Sequence, residues 1–205
     1  MATTQAPETR PQTAFAPGAH LADPAALGLG AFALTTFVLS VFNAGWMHAL
    51  PVAFGLALAY GGLAQLLAGM WEFAKGNTFG ATAFSSYGAF WISYWYLTGH
   101  TNLTALRALD LTGGIAWYLV AWGIFTTYMA VAATRTNSAV LVVFVLLAVT
   151  FFILAVANWA SGTVFWLRLG GYLGIATALA AWYASFATVT NWTFKRTVLP
   201  VGPRA

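Results

Sequence analysis

The sequence contains no cysteine and only three histidines, His20, His48 and His100, which lie far apart along the chain. The first absence excludes disulfides, thiolate nucleophiles and thiolate metal centres. The second leaves no metal-ligand spacing, so neither a metal nor a cofactor is expected. Charge is equally scarce. Asp, Glu, Lys and Arg make up 6% of the 205 residues, where a soluble domain carries about a quarter. That is too little to cover a water-facing surface. The net charge of +4 comes from eight basic and four acidic residues thinly scattered, which argues against a nucleic-acid partner and suits a membrane orientation signal. No grouping of acid, base, nucleophile or metal ligand is visible, so an enzyme is not expected.

Apolar residues are abundant: 60% of the chain, with a mean hydropathy of +0.77. They fall in long runs, which distinguishes a membrane protein from a soluble one with an apolar core. Six spans are predicted: Pro24 to Gly45, His48 to Trp71, Asn77 to Gly99, Gly113 to Ala133, Ser138 to Trp159, and Leu169 to Thr188. Each approaches the roughly 20 residues needed to cross a bilayer. The fold class is therefore all-α, an integral membrane bundle of six transmembrane helices. Residues 1–22, with Pro7, Pro11 and Pro17, read as a disordered N-terminal tail. Residues 23–190 form the transmembrane domain and 191–205 a C-terminal tail. Asp23, Asn77 and Asn137 are expected helix caps, with Pro24 at a first helical position.

An even number of spans puts both termini on one side. That side collects Arg10, Lys75, Arg135, Lys195, Arg196 and Arg204, and the other only Arg107 and Arg168. The positive-inside rule makes the first side cytoplasmic. Trp46, Trp71, Trp159, Trp166 and Trp192 sit near span ends, as in interfacial aromatic belts. Two stripes of small residues, Gly55–Gly62–Gly69 and Gly171–Gly174–Ala178–Ala181–Ser185, permit close helix approach. They serve either packing within one bundle or an interface between subunits.

No Asp, Glu, Lys or Arg falls mid-span. Glu72 and Lys75 lie at a span end, spaced to pair with each other and with water. The missing carboxylate leaves room for an anionic or neutral solute. Bulky and uncharged polar residues together form stripes instead: Phe32, Thr36 and Asn43 on the first helix, Tyr87, Tyr94 and Thr98 on the third, Leu147, Leu154 and Asn158 on the fifth. Spacings of four and seven place each set on one helix face. These three helices run in one direction. Each then offers a bulky group towards one side and a polar group about 16 Å further along, at about 1.5 Å per residue. The expectation is a pore lined by the odd helices and narrowed by bulky side chains. The alternative is that Asn and Thr simply join helices by hydrogen bonds.

The central block sharpens this reading. Tyr60-Gly61-Gly62, Gln65, Gly69 and Glu72 lead into Gly76-Asn77-Thr78-Phe79-Gly80, followed by Thr82-Ala83-Phe84-Ser85-Ser86-Tyr87-Gly88-Ala89-Phe90-Trp91. This strongly resembles the acetate uptake transporter family, the succinate–acetate permeases, as does the ending Arg196-Thr197-Val198-Leu199-Pro200-Val201-Gly202. The resemblance covers nearly everything from Asp23 to Gly202. It implies a six-helix protomer with its own pore, assembled as a hexamer in the plasma membrane and carrying acetate and in some members succinate, by a channel-like or proton-coupled route. It also implies a hydrophobic constriction at Phe32, Tyr87 and Leu147. The family's first-helix signature, Asn-Pro-Ala-Pro-Leu-Gly, is altered here to Asp23-Pro24-Ala25-Ala26-Leu27-Gly28, adding a negative charge at the pore mouth and losing a proline.

The expected ligand is a small carboxylate, with lipid and further copies of the chain as the other partners. Hydroxyl and amide donors at Thr35, Thr36, Asn43, Ser86, Tyr87 and Asn158 would hold it. The alternative is a channel for a neutral solute such as urea, an amide or ammonia.

Overall fold

The computed structural model describes residues 21–100, 111–160 and 163–204. His20, Arg107, Asp110 and almost all of the expected N-terminal tail lie outside these residues. The described residues form six helices: α1 (Ala25–Asn43), α2 (Pro51–Lys75), α3 (Thr78–Gly99), α4 (Leu111–Ala133), α5 (Ser138–Trp159) and α6 (Val164–Phe194). Five are long and apolar enough to cross a membrane. The exception is α3, which has the length and no charge but is diluted by Ser, Thr, Tyr and Trp. The architecture is that of a membrane helical bundle.

Local chemistry sets the boundaries. Helix α2 begins with Pro51 in its first turn, where a missing N–H costs nothing. It ends at Gly76, whose φ of +79° disfavours any side chain. The chain then restarts at once, because the Asn77 side chain accepts from the Gly80 amide at 3.2 Å. Asn137 likewise accepts from the Val140 amide at 2.9 Å and starts α5. At α1 the cap is shifted by one residue: Pro24 occupies the cap position, and Asp23 accepts from the Ala25 amide at 3.1 Å. Within α2, Ala59–Ala64 form a π turn, a rare form that is common at functional sites. Its Gly61 and Gly62 let α2 close on Thr35 of α1 and Ile92 of α3.

The helices form a ring in chain order, with α6 closing against α1. The small-residue stripe on α6 makes that closure. A Cβ on Gly171 would collide with the Ala44 backbone, and one on Gly174 with Ser40. Ala178 and Ala181 are fully buried, and Ser185 donates to the Ala26 carbonyl at 2.7 Å. On α2, Gly62 and Gly69 pack inside the chain, while Gly55 faces open space. These stripes therefore serve mainly packing within the bundle.

The α3–α4 seam is built differently. Few backbone positions approach closely there, and aromatic rings fill the gap. Tyr87 packs edge-on against Phe125, and Phe90 against Trp122, with ring centroids 5.4 and 5.2 Å apart. The Tyr118 hydroxyl lies 2.6 Å from that of Ser93.

Helix α6 is longer than expected at both ends, 31 residues. It includes the first residues of the segment read as a tail. After Phe194 the chain folds back onto the start of α5. The Ser138 amide donates to the Gly202 carbonyl at 2.7 Å, and the Ala139 amide to the Val201 carbonyl at 3.1 Å. Asn191 holds this return, accepting from the Val198 and Leu199 amides at 2.7 and 3.0 Å. Trp46, Trp71, Trp159 and Trp192 are exposed around the bundle near its ends, where the aromatic belts were expected.

Candidate functional site: two cavities and a pinch

Two cavities enter the ring from opposite ends. The one at the chain-terminus end, here called proximal, measures about 530 Å³. Its walls include Asp23, Leu29, Glu72, Lys75, Asn77, Phe144, Thr188 and Asn191. The distal cavity measures about 220 Å³ and is lined by Thr36, Ser40, Asn43, Tyr94, Thr98, Tyr118, Leu154 and Asn158 among others. Between them lies a gap of only about 20 Å³, walled by Leu29, Phe32, Gln65, Ala83, Phe84, Tyr87, Val143, Phe144 and Leu147. Leu29 and Phe144 are shared with the proximal cavity, Phe32 and Leu147 with the distal one. The three spaces are thus consecutive, and this conformation is closed at the middle one.

Phe32, Tyr87 and Leu147 are 4%, 3% and 5% exposed, turned inward rather than to the bundle's outer surface. The Phe32 and Tyr87 rings stand 5.8 Å apart. Tyr87 is fixed from behind, its hydroxyl 2.9 Å from that of Thr126 on α4. The Thr126 hydroxyl in turn lies 2.7 Å from the Trp122 carbonyl, the geometry of a donated bond. The ring therefore points to the axis while its polar tip is satisfied elsewhere.

Of the expected donors, Thr36, Asn43 and Asn158 line the distal cavity together. The Asn158 amide nitrogen donates one N–H to the Leu154 carbonyl at 2.9 Å and has a second to offer a ligand. Thr35 and Ser86 line neither cavity. Thr35 is fully buried, donates to the Ala31 carbonyl at 2.9 Å and sits where Gly61 leaves room for it. Ser86 is only half-buried. The donor set is narrower than the sequence reading has it, because one position along a helix turns a side chain by about 100°.

Two further readings are corrected. Lys75 does not pair with Glu72: its ammonium lies 2.8 Å from the Asp23 carboxylate, across the proximal mouth. Glu72 is not at a wet helix end but is fully buried, with one carboxylate oxygen accepting from the Asn77 side chain at 2.8 Å. Nor do the odd helices line the path alone, since α2 contributes Gln65 and Glu72, and α4 contributes Ile115, Tyr118 and Leu119.

Among the described residues, buried side-chain polar atoms without any partner are few: Thr36 Oγ1, Gln65 Oε1, Glu72 Oε1, Ser85 Oγ and Trp91 Nε1. Such atoms are costly and call for an explanation. Four of the five residues line this path. Glu72 is at the proximal cavity, Gln65 at the gap, and Thr36 and Trp91 at the distal cavity. Gln65 and Glu72, seven apart, were visible in the central block as motif residues, and their matching helical phase was the available signal. Nothing in the sequence singled out Tyr118.

Comparison with known proteins agrees with this architecture. The profile of the GPR1/FUN34/yaaH family matches residues 6–203. The chain belongs to the GPR1/FUN34/yaaH family. Within it, the chain is 37% identical to the succinate-acetate/proton symporter SatP of Escherichia coli K12, over 89% of this chain and 96% of that one. It is 43% identical to the ammonia transport outward protein 2 of Saccharomyces cerevisiae, over 88% of this chain, and 40% identical to acetate permease A of Emericella nidulans, also over 88%. The chain spans only about two thirds of the length of these two fungal relatives, 66% and 65%. A solved structure, that of the bacterial acetate channel SatP, superposes with a TM-score of 0.83 at 37% identity, covering 89% of this chain and 99% of that one.

In this GPR1/FUN34/yaaH family member the motif residues cluster at the proximal end. Gly28 leaves space for the Phe84 ring, and Gly80 for the Glu72 carboxyl, which a Cβ would approach to 2.7 Å. Phe79 packs on Phe144 with ring centroids 5.2 Å apart. Asn77 caps α3 through its oxygen and binds Glu72 through its nitrogen, and Thr78 opens α3. Leu27 is exposed and faces away from the cavity side of α1.

Proposed function

We propose that this protein carries acetate, and other small mono- or dicarboxylates such as succinate, across the plasma membrane through a conduit inside each protomer. The observation that supports this best is the series of proximal cavity, apolar pinch and distal cavity. Phe32, Tyr87 and Leu147 form the constriction. A short acyl chain tolerates such a ring, whereas a hydrated inorganic ion does not, so the ring selects and gates by dewetting. Thr36, Asn43 and Asn158 offer neutral polar groups to a carboxylate on the distal side. The names borne by two relatives, a succinate-acetate/proton symporter and an acetate permease, support the substrate class. Both termini face the cytoplasm on this reading, following the distribution of Lys and Arg, and the protomers assemble as a hexamer.

The mechanism is channel-like or proton-coupled. Flux of labelled acetate into liposomes containing only the purified protein tests the reading, with and without an imposed pH gradient. Saturable uptake that excess acetate inhibits is the expected result, and its absence overturns the proposal. Uptake driven by the pH gradient marks coupling.

The second reading is a neutral-solute channel for urea, an amide or ammonia. It is favoured by the distal cavity, whose lining carries no charged side chain, and by the relative named for outward ammonia transport. Competition decides: excess urea that abolishes labelled solute flux while excess acetate does not would favour this second reading.

A further inference from the structure

Among the described residues, Glu72 is the one carboxylate buried at the conduit. It is fully inaccessible to solvent although it lines the proximal cavity. Its two oxygens differ. Oε2 accepts from the Asn77 side chain at 2.8 Å. Oε1 has no partner at all. Asn77 reaches only one of them: its amide nitrogen bonds Oε2, while its own oxygen accepts from the Gly80 amide. Gly80 is required beside it, since any Cβ there would meet the carboxyl. The fold thus holds one carboxyl group by one oxygen and leaves the other free.

An ionised carboxylate only accepts hydrogen bonds, while a protonated one gains a single donor. An arriving carboxylate anion is an acceptor and is repelled by an ionised Glu72, so two carboxyl groups at one place share one proton. We propose that Glu72 is a proton-binding residue of the conduit, whose protonated Oε1 donates to the carboxylate of an anion in the proximal cavity. The balance is Glu72–COO⁻ plus H⁺ plus R–COO⁻ giving Glu72–COOH···⁻OOC–R. The proton comes from bulk water and returns there, or leaves with the anion as R–COOH. This rests on the carboxylate-transport reading and adds the group that links anion occupancy to protons.

Among the described residues, the other charged groups facing this carboxyl are Lys75, on its own helix, and Asp23, before α1, joined to each other at 2.8 Å. The lining residues from α3, α5 and α6 are uncharged. Lys75 is therefore engaged by Asp23, and Glu72 is left with a neutral amide.

The test is calorimetric titration of acetate into the purified full-length protein, in buffers of different ionisation enthalpy, across about pH 6 to pH 9, where acetate itself is ionised. Once Glu72 has lost its proton in the free protein, the wild type should take up about one proton per acetate bound. Its affinity should then fall about tenfold per pH unit. Glu72→Gln should bind with no proton uptake and a nearly flat profile. Wild-type proton uptake in Glu72→Gln overturns the proposal. Should that variant not fold, infrared difference spectra of the wild type on addition of ¹³C-acetate decide. A new protonated-carboxyl band from the protein supports the assignment, and its absence overturns it. Liposome flux of acetate separates the two levels. If the wild type conducts but the pH dependence of Glu72→Gln is unchanged, this inference alone fails. If the wild type neither binds nor conducts acetate, the transport reading fails with it.

Discussion

Phe32 and Leu147 are apolar side chains that other apolar side chains could replace without unfolding a lipid-embedded bundle, yet both stop at the same narrow gap. Truncating either to alanine removes buried volume, at a cost of about 2–5 kcal/mol. It should also widen the path. Phe32→Ala and Leu147→Ala are expected to raise uptake of larger carboxylates relative to acetate several-fold in liposomes. Unchanged ratios in both variants would remove these residues from the constriction. Tyr87 separates ring from hydroxyl. Tyr87→Phe keeps the ring against Phe32 and loses only the bond to Thr126, which retains the Trp122 carbonyl. A loss of about 1 kcal/mol follows, read as a slightly lower unfolding temperature in detergent with substrate preference retained. A changed preference would mean that the hydroxyl itself contacts the solute.

At the scale of elements, the C-terminal return is the part that ordinary span counting treats as dispensable. Its Gly202 and Val201 carbonyls accept from the Ser138 and Ala139 amides in the first turn of α5, and Val201 stands in the proximal wall. Asn191 makes three hydrogen bonds to it, two accepted and one donated to the Leu199 carbonyl at 2.8 Å. Asn191→Ala should therefore release the return at about 2–3 kcal/mol, at about 1 kcal/mol per bond. Limited proteolysis would show this as faster cleavage beyond Phe194, with the bundle intact. Helix α2 teaches a related lesson. Its π turn at Ala59–Ala64 comes directly before Gln65 and so shapes how Gln65 and Glu72 meet the path, an effect that composition alone does not encode.

For the whole molecule, two blind cavities on one axis make a topological statement that is open to direct test. The chain has no cysteine, so single cysteines can be introduced on a clean background. Thr188→Cys in the proximal cavity and Asn158→Cys in the distal one should react with a membrane-impermeant thiol reagent from opposite faces of the membrane. With cytoplasmic termini, Asn158→Cys is labelled in intact cells and Thr188→Cys only in inverted vesicles. Labelling of both from one face would break the proposed conduit. Loss of labelling at Asn158→Cys on adding acetate would place the anion in the distal cavity.

The amino-acid sequence by itself determined the membrane class, the order of the helices with the bounds of all but α6 to within a few residues, and the caps at Asn77 and Asn137. These follow from hydropathy, charge scarcity and short-range hydrogen bonding, all of which are local. Its helical phases also brought Phe32, Tyr87 and Leu147 to one face each. Only the tertiary structure decided which faces meet. Ring closure of α6 on α1 turned the small-residue stripe into an internal contact. The α2 helix entered the conduit with Gln65 and Glu72, and Lys75 was drawn to Asp23 rather than to its neighbour on the same helix. Those outcomes depend on distances between helices, and a spacing along one helix carries no information about its partner.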